Sequence, residues 1–219
     1  MKDIVIFGNT MIAKLAHYYF SRDKEYKVVA FTVDSKYINS SHFLDLPLLP
    51  FENIETVYPP EKYLMFVAIG PNGMNSLRER KFHDAKAKGY RLASHVSSKS
   101  VCESQVGENC FVADCAVINP FVEMGNNNFF WEQCYISCDA VIENNCYFSP
   151  HSTIGTFCHV GSNCIIGTSA SIKTRIKLSY KSLIGSSSFI SKDTEALGVY
   201  GEKSSALYGC ISDKIDITV

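Results

Sequence analysis

The sequence lacks the features that would assign it to several large classes of protein. Its 21 Lys and Arg residues are offset by 22 Asp and Glu residues, so the net charge is only -1 and no basic surplus for nucleic acid is present. Residues 1–8, Met-Lys-Asp-Ile-Val-Ile-Phe-Gly, form too short an apolar run for a signal peptide or a membrane span. We therefore expect a cytoplasmic protein with no membrane span and no nucleic-acid partner.

Cysteine is abundant, but its spacing is wrong for its two commonest structural uses. The chain has nine cysteines, an odd number, and no Cys-x-x-Cys pair. This pattern speaks against both a disulfide framework and a zinc site. We therefore expect no metal, and cysteines that pack as small apolar side chains.

An apolar residue falls on every sixth position from Val106 to Ile190 without a gap. A period of six fits neither a helix nor a single amphipathic strand, so each hexapeptide is interpreted as one side of a coiled β-solenoid. The apolar residue should point into the prism, while Gly or Asn at the corners supplies backbone angles that branched residues resist. The position four places after each apolar residue is mostly small, as in Cys110, Ala116, Cys134, Ala140, Cys146, Ser152, Cys158, Cys164, Ala170, Ser182 and Ser188.

The first ninety or so residues follow a different pattern, in which strands and helices alternate. Apolar runs predict strands over 3–8, 26–33, 63–69 and 90–94, and helical spacing predicts helices over 11–22 and 74–88, with a polar loop after the second strand. The chain is thus predicted to contain an α/β lobe with a small Rossmann-like βαβ sheet over residues 1–94. The solenoid follows over residues 95–219, and residues 211–219 are predicted to cap it.

The candidate ligand site of the lobe follows from its predicted topology. Ligands of open parallel sheets lie beyond the carboxyl ends of the strands, and the helix after the first strand has a free N-terminus for phosphate. A NAD site is not expected, because residues 8–13 keep only the first glycine of the dinucleotide fingerprint. A tight turn explains Gly8 and Asp34 equally well. The residues at the strand ends are Gly8, Asn9, Thr10, Asp34, Ser35, Gly70 and Asn72.

Four motifs, together with the order of the two parts, carry a resemblance to a known family. They are Ile-Val-Ile-Phe-Gly at 4–8, Val-Ala-Ile-Gly at 67–70, His-Val-Ser-Ser at 95–98 and Phe-Ile-Ser-Lys-Asp at 189–193. Over nearly its full length the chain resembles bacterial nucleotide-sugar acyltransferases of the sialic acid O-acetyltransferase and bacillosamine N-acetyltransferase kind. The resemblance implies a left-handed parallel β-helix, a homotrimer, and a lobe that holds a nucleotide-linked amino sugar. It also implies that acetyl-CoA or another acyl-CoA lies in the groove between adjacent helices.

The chain departs from that family at the position of the general base. The resemblance implies a histidine before Asp139, but this sequence has Cys138, and a second family histidine corresponds to Tyr147. Three alternatives stay open. Asp139 or His151 serves as the base, the sugar amine attacks without one, or Cys138 takes the proton or activity is lost.

Coenzyme A is expected along the upper coils. Cys138, Thr156 and Thr174 are spaced by eighteen residues, or three sides, and should stack on one edge. Trp131, at a position where Gly or Asn is usual, is predicted to cover a subunit interface or to lie beside substrate. The residues expected to bind coenzyme A are Tyr147, Thr156, Thr168, Thr174, Ser186 and Lys192.

The resulting hypothesis is an acyl-CoA-dependent N-acyltransferase, with acetyl-CoA as the expected donor. It would act on the amino group of a nucleotide-linked amino-deoxy sugar in surface polysaccharide (lipopolysaccharide) biosynthesis. An amine is favoured over a hydroxyl because a hydroxyl depends far more on a base. The alternatives are a sugar O-acyltransferase and a catalytically inactive trimeric scaffold.

Overall fold

A computed structural model describes residues 1–201 of the chain. The cap predicted over residues 211–219 therefore lies outside the described residues. Two parts are seen, an α/β lobe and a parallel β-helix, as the change of sequence pattern predicts.

The lobe is a five-stranded sheet with a helix packed on each side of its centre. The elements are β1 (Lys2–Phe7), α1 (Met11–Arg22), β2 (Tyr26–Val33), a 3-10 helix (Ser35–Tyr37), β3 (His42–Phe43), β4 (Leu46–Pro50), a second 3-10 helix (Phe51–Thr56), β5 (Leu64–Val67) and α2 (Ser76–Ala87). The strand order is β3-β4-β2-β1-β5, and all neighbours are parallel except the short hairpin formed by the edge strand β3 and its neighbour β4.

Two sequence predictions for the lobe need correction. The segment predicted to be a polar loop after β2 contains β4, a parallel partner of β2 with Leu48 buried, and its two prolines hid it because proline normally argues against a strand. The strand predicted over 90–94 is reduced to a single bridge between Leu92 and Met65.

The β-helix is built from strands of two residues each. They are β6 (His95–Val96), β7 (Val101–Cys102), β8 (Phe111–Val112), β9 (Val117–Ile118), β10 (Glu123–Met124), β11 (Phe129–Phe130), β12 (Tyr135–Ile136), β13 (Val141–Ile142), β14 (Tyr147–Phe148), β15 (Thr153–Ile154), β16 (His159–Val160), β17 (Ile165–Ile166), β18 (Ser171–Ile172), β19 (Lys177–Leu178), β20 (Leu183–Ile184), β21 (Phe189–Ile190) and β22 (Val199–Tyr200).

These strands stack into three parallel sheets, which are the faces of a prism. The first face has the order β22-β20-β17-β14-β11-β8-β6, the second β21-β18-β15-β12-β9-β7, and the third β10-β13-β16-β19. Between Phe111 and Ile190 paired residues on one face are eighteen apart, as for Phe129 and Tyr147, so one coil is three hexapeptides. The first and last pairs, such as His95 with Phe111 and Leu183 with Val199, are sixteen apart. We call the edge between the first and second faces the first corner (for example residues 149–152), that between the second and third faces the second corner (137–140), and that between the third and first faces the third corner (143–146).

The predicted columns form the core of the prism. From Val112 to Ile190 the sixth-position residues are buried, apart from Met124, which is half-buried like Val106, and the small column, including Cys134, Cys146 and Cys164, is buried beside them. Burial raises the pKa of the Cys110 thiol to about 11, so this thiol stays protonated at neutral pH. The cysteines of the repeat therefore pack as small side chains, as predicted.

The backbone role predicted for the repeat glycines is wrong. The residue with positive φ is the third after each apolar residue from Val106 to Ile184. Asn holds it at four positions, as predicted for Asn, but other positions carry bulky residues such as Phe121 (φ 65°) and Phe157 (φ 59°). The glycines directly after the apolar residue are needed for close approach instead, because a Cβ on Gly107 would lie 2.4 Å from the Gly125 carbonyl oxygen of the next coil.

A column of buried asparagines at the third corner fastens the lobe to the prism. We call Asn109, Asn127, Asn145 and Asn163 the asparagine ladder, since each Nδ2 donates to the Oδ1 of the next residue, at 2.8, 2.8 and 3.4 Å. At one end Asn109 pairs with the backbone N–H and carbonyl of Val67 in β5. At the other end Asn163 donates to the Glu79 carboxylate of α2 at 2.9 Å.

Arg78 of α2 completes this joint. Its guanidinium is fully buried, donates to the carbonyls of Asn127, Asn145 and Cys146 at 3.0–3.2 Å, and lies 4.3 Å above the Phe129 ring. Burial lowers the Arg78 pKa to about 10. The helix is thus held against two consecutive coils by one side chain.

Aromatic packing covers the first face beside this joint. Trp131 is only 5% exposed and packs on Phe111, Phe129 and Tyr147 in a cluster shared with the lobe. Trp131 therefore contacts its own chain, and this burial does not fit the predicted contact with another subunit or with substrate.

Candidate functional site

The strand ends of the lobe surround a cavity of about 230 Å³. It collects six of the seven residues predicted there, and Ser35 adjoins it in a neighbouring depression. The six are Gly8, Asn9, Thr10, Asp34, Gly70 and Asn72. We call this cavity the lobe pocket.

The turn after β1 shapes one wall of the lobe pocket. Gly8 has φ 136°, and a Cβ there would lie 2.8 Å from the Ala68 carbonyl oxygen, so glycine is required for the turn. Asn9 donates from Nδ2 to the Tyr37 carbonyl at 3.1 Å and ties the turn to the neighbouring 3-10 helix. Thr10 makes no side-chain cap, which leaves the first N–H groups of α1 available to an anion.

Asp34 does not face the lobe pocket as a free carboxylate. Its Oδ1 accepts a hydrogen bond from Lys81 Nζ at 2.6 Å, and Lys81 also lies 3.2 Å from Asp84. Asp34 and Lys81 are both largely buried. The pair positions Lys81 beside the pocket and leaves the second carboxylate oxygen of Asp34 as an acceptor.

Sequence reasoning missed the cations of the lobe pocket. Lys36 follows β2, and Arg80 and Lys81 extend from α2 beside Leu77, so three cations and one carboxylate line the cavity. Positions 77, 80 and 81 share one side of the predicted helix, so the sequence does place these side chains together. That this side faces the lobe pocket follows only from the packing of α2.

The second corner carries the stack that the eighteen-residue spacing predicts. The Phe157 N–H donates to the Cys138 carbonyl at 3.3 Å, and the Arg175 N–H donates to the Thr156 carbonyl at 2.9 Å. Cys138, Thr156 and Thr174 therefore occupy the same edge on successive coils. Lys192 follows in the next coil after β21 and is exposed.

The other predicted residues of the repeats lie elsewhere on the prism. His151 is exposed at the first corner, with Thr168 and Ser186 above it on the same edge. Tyr147 lies on the first face within the aromatic cluster, half-buried. Within one protomer His151 is therefore separated from Cys138 and Asp139 by the whole second face.

A histidine outside the predicted site residues has the best-defined partner. His159, on β16 of the third face, places Nε2 2.8 Å from Glu143 Oε1. Glu143 Oε2 accepts from both the N–H and the hydroxyl of Ser162, at 2.9 and 2.7 Å. These contacts lower the Glu143 pKa: the hydrogen bond from the Ser162 hydroxyl is the largest cause, and the contact with His159 is a smaller one. The pair spans adjacent coils, a diagonal contact that periodicity does not reveal.

Two further structural observations concern the described residues 1–201 as a whole. No helix there is long and apolar enough to cross a bilayer. No group of three or more His, Cys, Asp or Glu side chains in that part of the chain is arranged to hold a metal ion.

Comparison with known proteins identifies the class of fold. The profile of the bacterial transferase hexapeptide family (six repeats) matches residues 139–174, which lie within the β-helix. No curated protein sequence matches the chain. The repeats and similar solved structures establish a left-handed parallel β-helix that follows an α/β lobe, as expected from the sequence.

Three solved structures share this architecture over almost their whole length. PerB from Caulobacter crescentus, solved with CoA and GDP-perosamine, has a TM-score of 0.71 at 18% identity, covering 93% of this chain and 92% of that one. WeeI from Acinetobacter baumannii has a TM-score of 0.75 at 19% identity, with coverage of 91% and 96%. The acetyltransferase domain of PglB from Neisseria gonorrhoeae has a TM-score of 0.68 at 15% identity, with coverage of 92% and 97%.

Proposed function

We propose that this protein is an acyl-CoA-dependent N-acyltransferase that acetylates the amino group of a nucleotide-linked amino-deoxy sugar in surface polysaccharide biosynthesis. The observation that carries the proposal is the lobe pocket, where Lys36, Arg80 and Lys81 meet the free N-terminus of α1. Helix N-terminal amides and clustered cations are what a diphosphate requires. The similar PerB structure holds CoA and GDP-perosamine together.

The acyl donor is proposed to lie along the edges of the prism. The second corner offers two hydroxyl groups and one cation, from Thr156, Thr174 and Lys192. The first corner offers the hydroxyl groups of Thr168 and Ser186. One protomer cannot bring these two edges together, because the second face separates them. A groove between two protomers would combine an edge from each. Tyr147 lies on the first face, apart from both edges, so of the predicted donor-binding residues it has the least structural support.

A homotrimer is proposed to form this groove. The second face and the second corner of the isolated protomer expose large apolar side chains, a pattern typical of subunit interfaces. They are Val101 (49% exposed), Phe121 (76%), Tyr135 (41%), Phe157 (49%) and Phe189 (60%). We also propose a cytoplasmic location, since the eight cysteines at described positions are all free thiols, as suits a reducing compartment.

The reaction is attack of a neutral amine on a thioester. The amine nitrogen bonds to the carbonyl carbon, the oxygen becomes anionic and needs a hydrogen-bond donor, and the thiolate of CoA leaves. Backbone N–H groups at the prism corners are suitable donors. Holding amine and thioester in contact in one groove contributes a large part of the rate.

The test is release of free CoA from acetyl-CoA in the presence of a panel of nucleotide-linked 4-amino sugars. We expect release with an amino sugar and none with the matching sugar that has a hydroxyl in place of the amine. Arg80→Gln should raise the KM for the nucleotide sugar about 10- to 100-fold, because a charge-assisted hydrogen bond is lost, and leave the KM for acetyl-CoA unchanged. Release with hydroxyl sugars would favour the O-acyltransferase, and no release with any sugar would favour the scaffold.

A further inference from the structure

We propose that His159, oriented by Glu143, is the general base that takes the proton of the attacking sugar amine, an inference that rests on the proposed function. The position at which related enzymes are expected to have a histidine holds Cys138 in this chain. The base has therefore moved from the second corner to the third face, one coil further along the prism.

The hydrogen bonds of Glu143 fix the imidazole. Its carboxylate accepts from His159 Nε2 through one oxygen and from the Ser162 N–H and hydroxyl through the other. A carboxylate acceptor places the ring proton of His159 on Nε2, which leaves the lone pair of Nδ1 to accept a proton. Within the described part of the chain Nδ1 has no hydrogen-bond partner. A nucleophile, a base and a third group that orients the base form a common arrangement for acyl transfer.

His159 lies close to the joint that carries the lobe pocket. Ser162, which holds Glu143, is followed by Asn163, and Asn163 donates to the Met74 carbonyl and to Glu79 at the start of α2. Asn163 lies four positions after His159, so their Cα atoms are within about 14 Å. The same turns of α2 carry Leu77, Arg80 and Lys81 into the wall of the lobe pocket. In this assignment the sugar end of a nucleotide held there extends along α2 toward the third face.

His159 also adjoins the edge proposed for the acyl donor. It follows Thr156 by three residues in the same coil, and Thr156 stacks on Cys138 at the second corner. On the third face His159 pairs with Val141, two residues beyond Asp139. The imidazole thus stands between the thioester edge at the second corner and the lobe joint at the third.

The rival bases lack this arrangement. Asp139 is exposed in a left-handed turn (φ 56°), and His151 is exposed at the first corner; within the described residues neither side chain forms a hydrogen bond or an ion pair. Cys138 is half-buried, and a thiolate there would compete for the acyl group. Among these candidates only His159 is oriented by a carboxylate.

The amine, the thioester and His159 account for every bond and proton of the transfer. The amine nitrogen forms a bond to the thioester carbon, and its proton passes to Nδ1 of His159, giving an imidazolium that the Glu143 carboxylate stabilises. The tetrahedral intermediate collapses, the C–S bond breaks, and the departing thiolate takes the proton from the imidazolium. The products are the sugar amide and the CoA thiol, and His159 returns to its neutral form.

The experiment compares His159→Gln and Glu143→Gln with His42→Gln, an exposed histidine on an edge strand of the lobe. With the amino sugar that wild-type protein acetylates, His159→Gln should lower kcat about 10²- to 10⁴-fold with both KM values within about threefold of wild type. Glu143→Gln should lower kcat about tenfold, because the imidazole loses its orienting charge. His42→Gln should match wild type.

A rescue measurement separates a chemical role from a structural one. His159→Gly should regain at least about tenfold in kcat when imidazole is added to the buffer, whereas loss of packing would not be repaired by a free base. A His159→Gln variant with kcat within about threefold of wild type, or a His159→Gly variant that imidazole does not rescue, overturns the assignment and leaves the proposed function standing. Absence of CoA release by the wild-type protein with every amino sugar overturns both.

Discussion

At the scale of single residues, the most unusual environment is that of His95. Its ring is 4% exposed and packs against Tyr19, Phe20 and Phe111, and neither ring nitrogen has a hydrogen-bond partner among the described residues. Burial lowers the His95 pKa, an effect that Asp23 and Asp114 oppose but do not cancel. The imidazole is therefore neutral in the folded protein at physiological pH.

Protonation of His95 should make stability depend on pH. Because the folded pKa is below the unfolded value of about 6.5, the unfolded chain binds the proton first, so stability is complete above about pH 6.5 and falls as pH drops. Protonation of His95 alone cannot change the free energy of unfolding by more than about 1.4 kcal/mol per pH unit. Urea unfolding at pH 5 and pH 7.5 measures it, and His95→Phe should reduce the difference. An equal pH dependence in the variant would show that other groups are responsible.

At the scale of elements, α2 has the most specific role, because it builds the lobe pocket and holds the lobe to the prism. Arg78→Met keeps the volume of the side chain but removes its donors to three buried carbonyls. We expect a loss of about 3 kcal/mol in the free energy of unfolding, since buried acceptors are left without partners. Arg80→Met, two residues further along and exposed, is the matched control and should change stability by less than about 0.5 kcal/mol. Equal losses in urea titrations of the two variants would mean that the joint contributes nothing specific.

The elements also show where prediction from the sequence succeeds and where it ends. The prism was predictable because Val112, Ile136 and their equivalents recur at one period, and stacking turns that period directly into faces and corners. The strand-end rule likewise predicted Gly8, Asn9 and Asp34 in one pocket, since parallel strands end at one edge.

Contacts that depend on tertiary packing were not predictable. Arg80 and Lys81 reach the lobe pocket only because the asparagine ladder and Arg78 set the position of α2. His159 meets Glu143 on an adjacent coil at a separation of sixteen residues, not eighteen, so the contact depends on side-chain direction as well as on register. The β4 strand was missed because its buried leucine stands between prolines.

At the scale of the whole molecule, the exposed apolar surface predicts association. Phe121 is 76% exposed and holds a left-handed backbone that costs a bulky residue about 1–2 kcal/mol, which packing against another protomer would offset. Light scattering should give wild-type protein three times the protomer mass of 24.4 kDa, and Phe121→Asp should shift it toward the single protomer. Val57→Asp, at an exposed apolar position of the lobe, should leave the mass unchanged. A wild-type protein of protomer mass would contradict the trimer and the shared groove with it.

The asparagine ladder divides the molecule into parts that can change independently. It engages four successive coils and is closed at its upper end by Glu79, so α2 cannot slide along the prism without breaking several hydrogen bonds at once. Duplication of a coil beyond Asn163 would lengthen the far end by one strand spacing of about 4.8 Å and leave the height between the lobe pocket and His159 as it is. Coils can therefore be added at the far end of the prism while α2, the lobe pocket and His159 keep their relative positions.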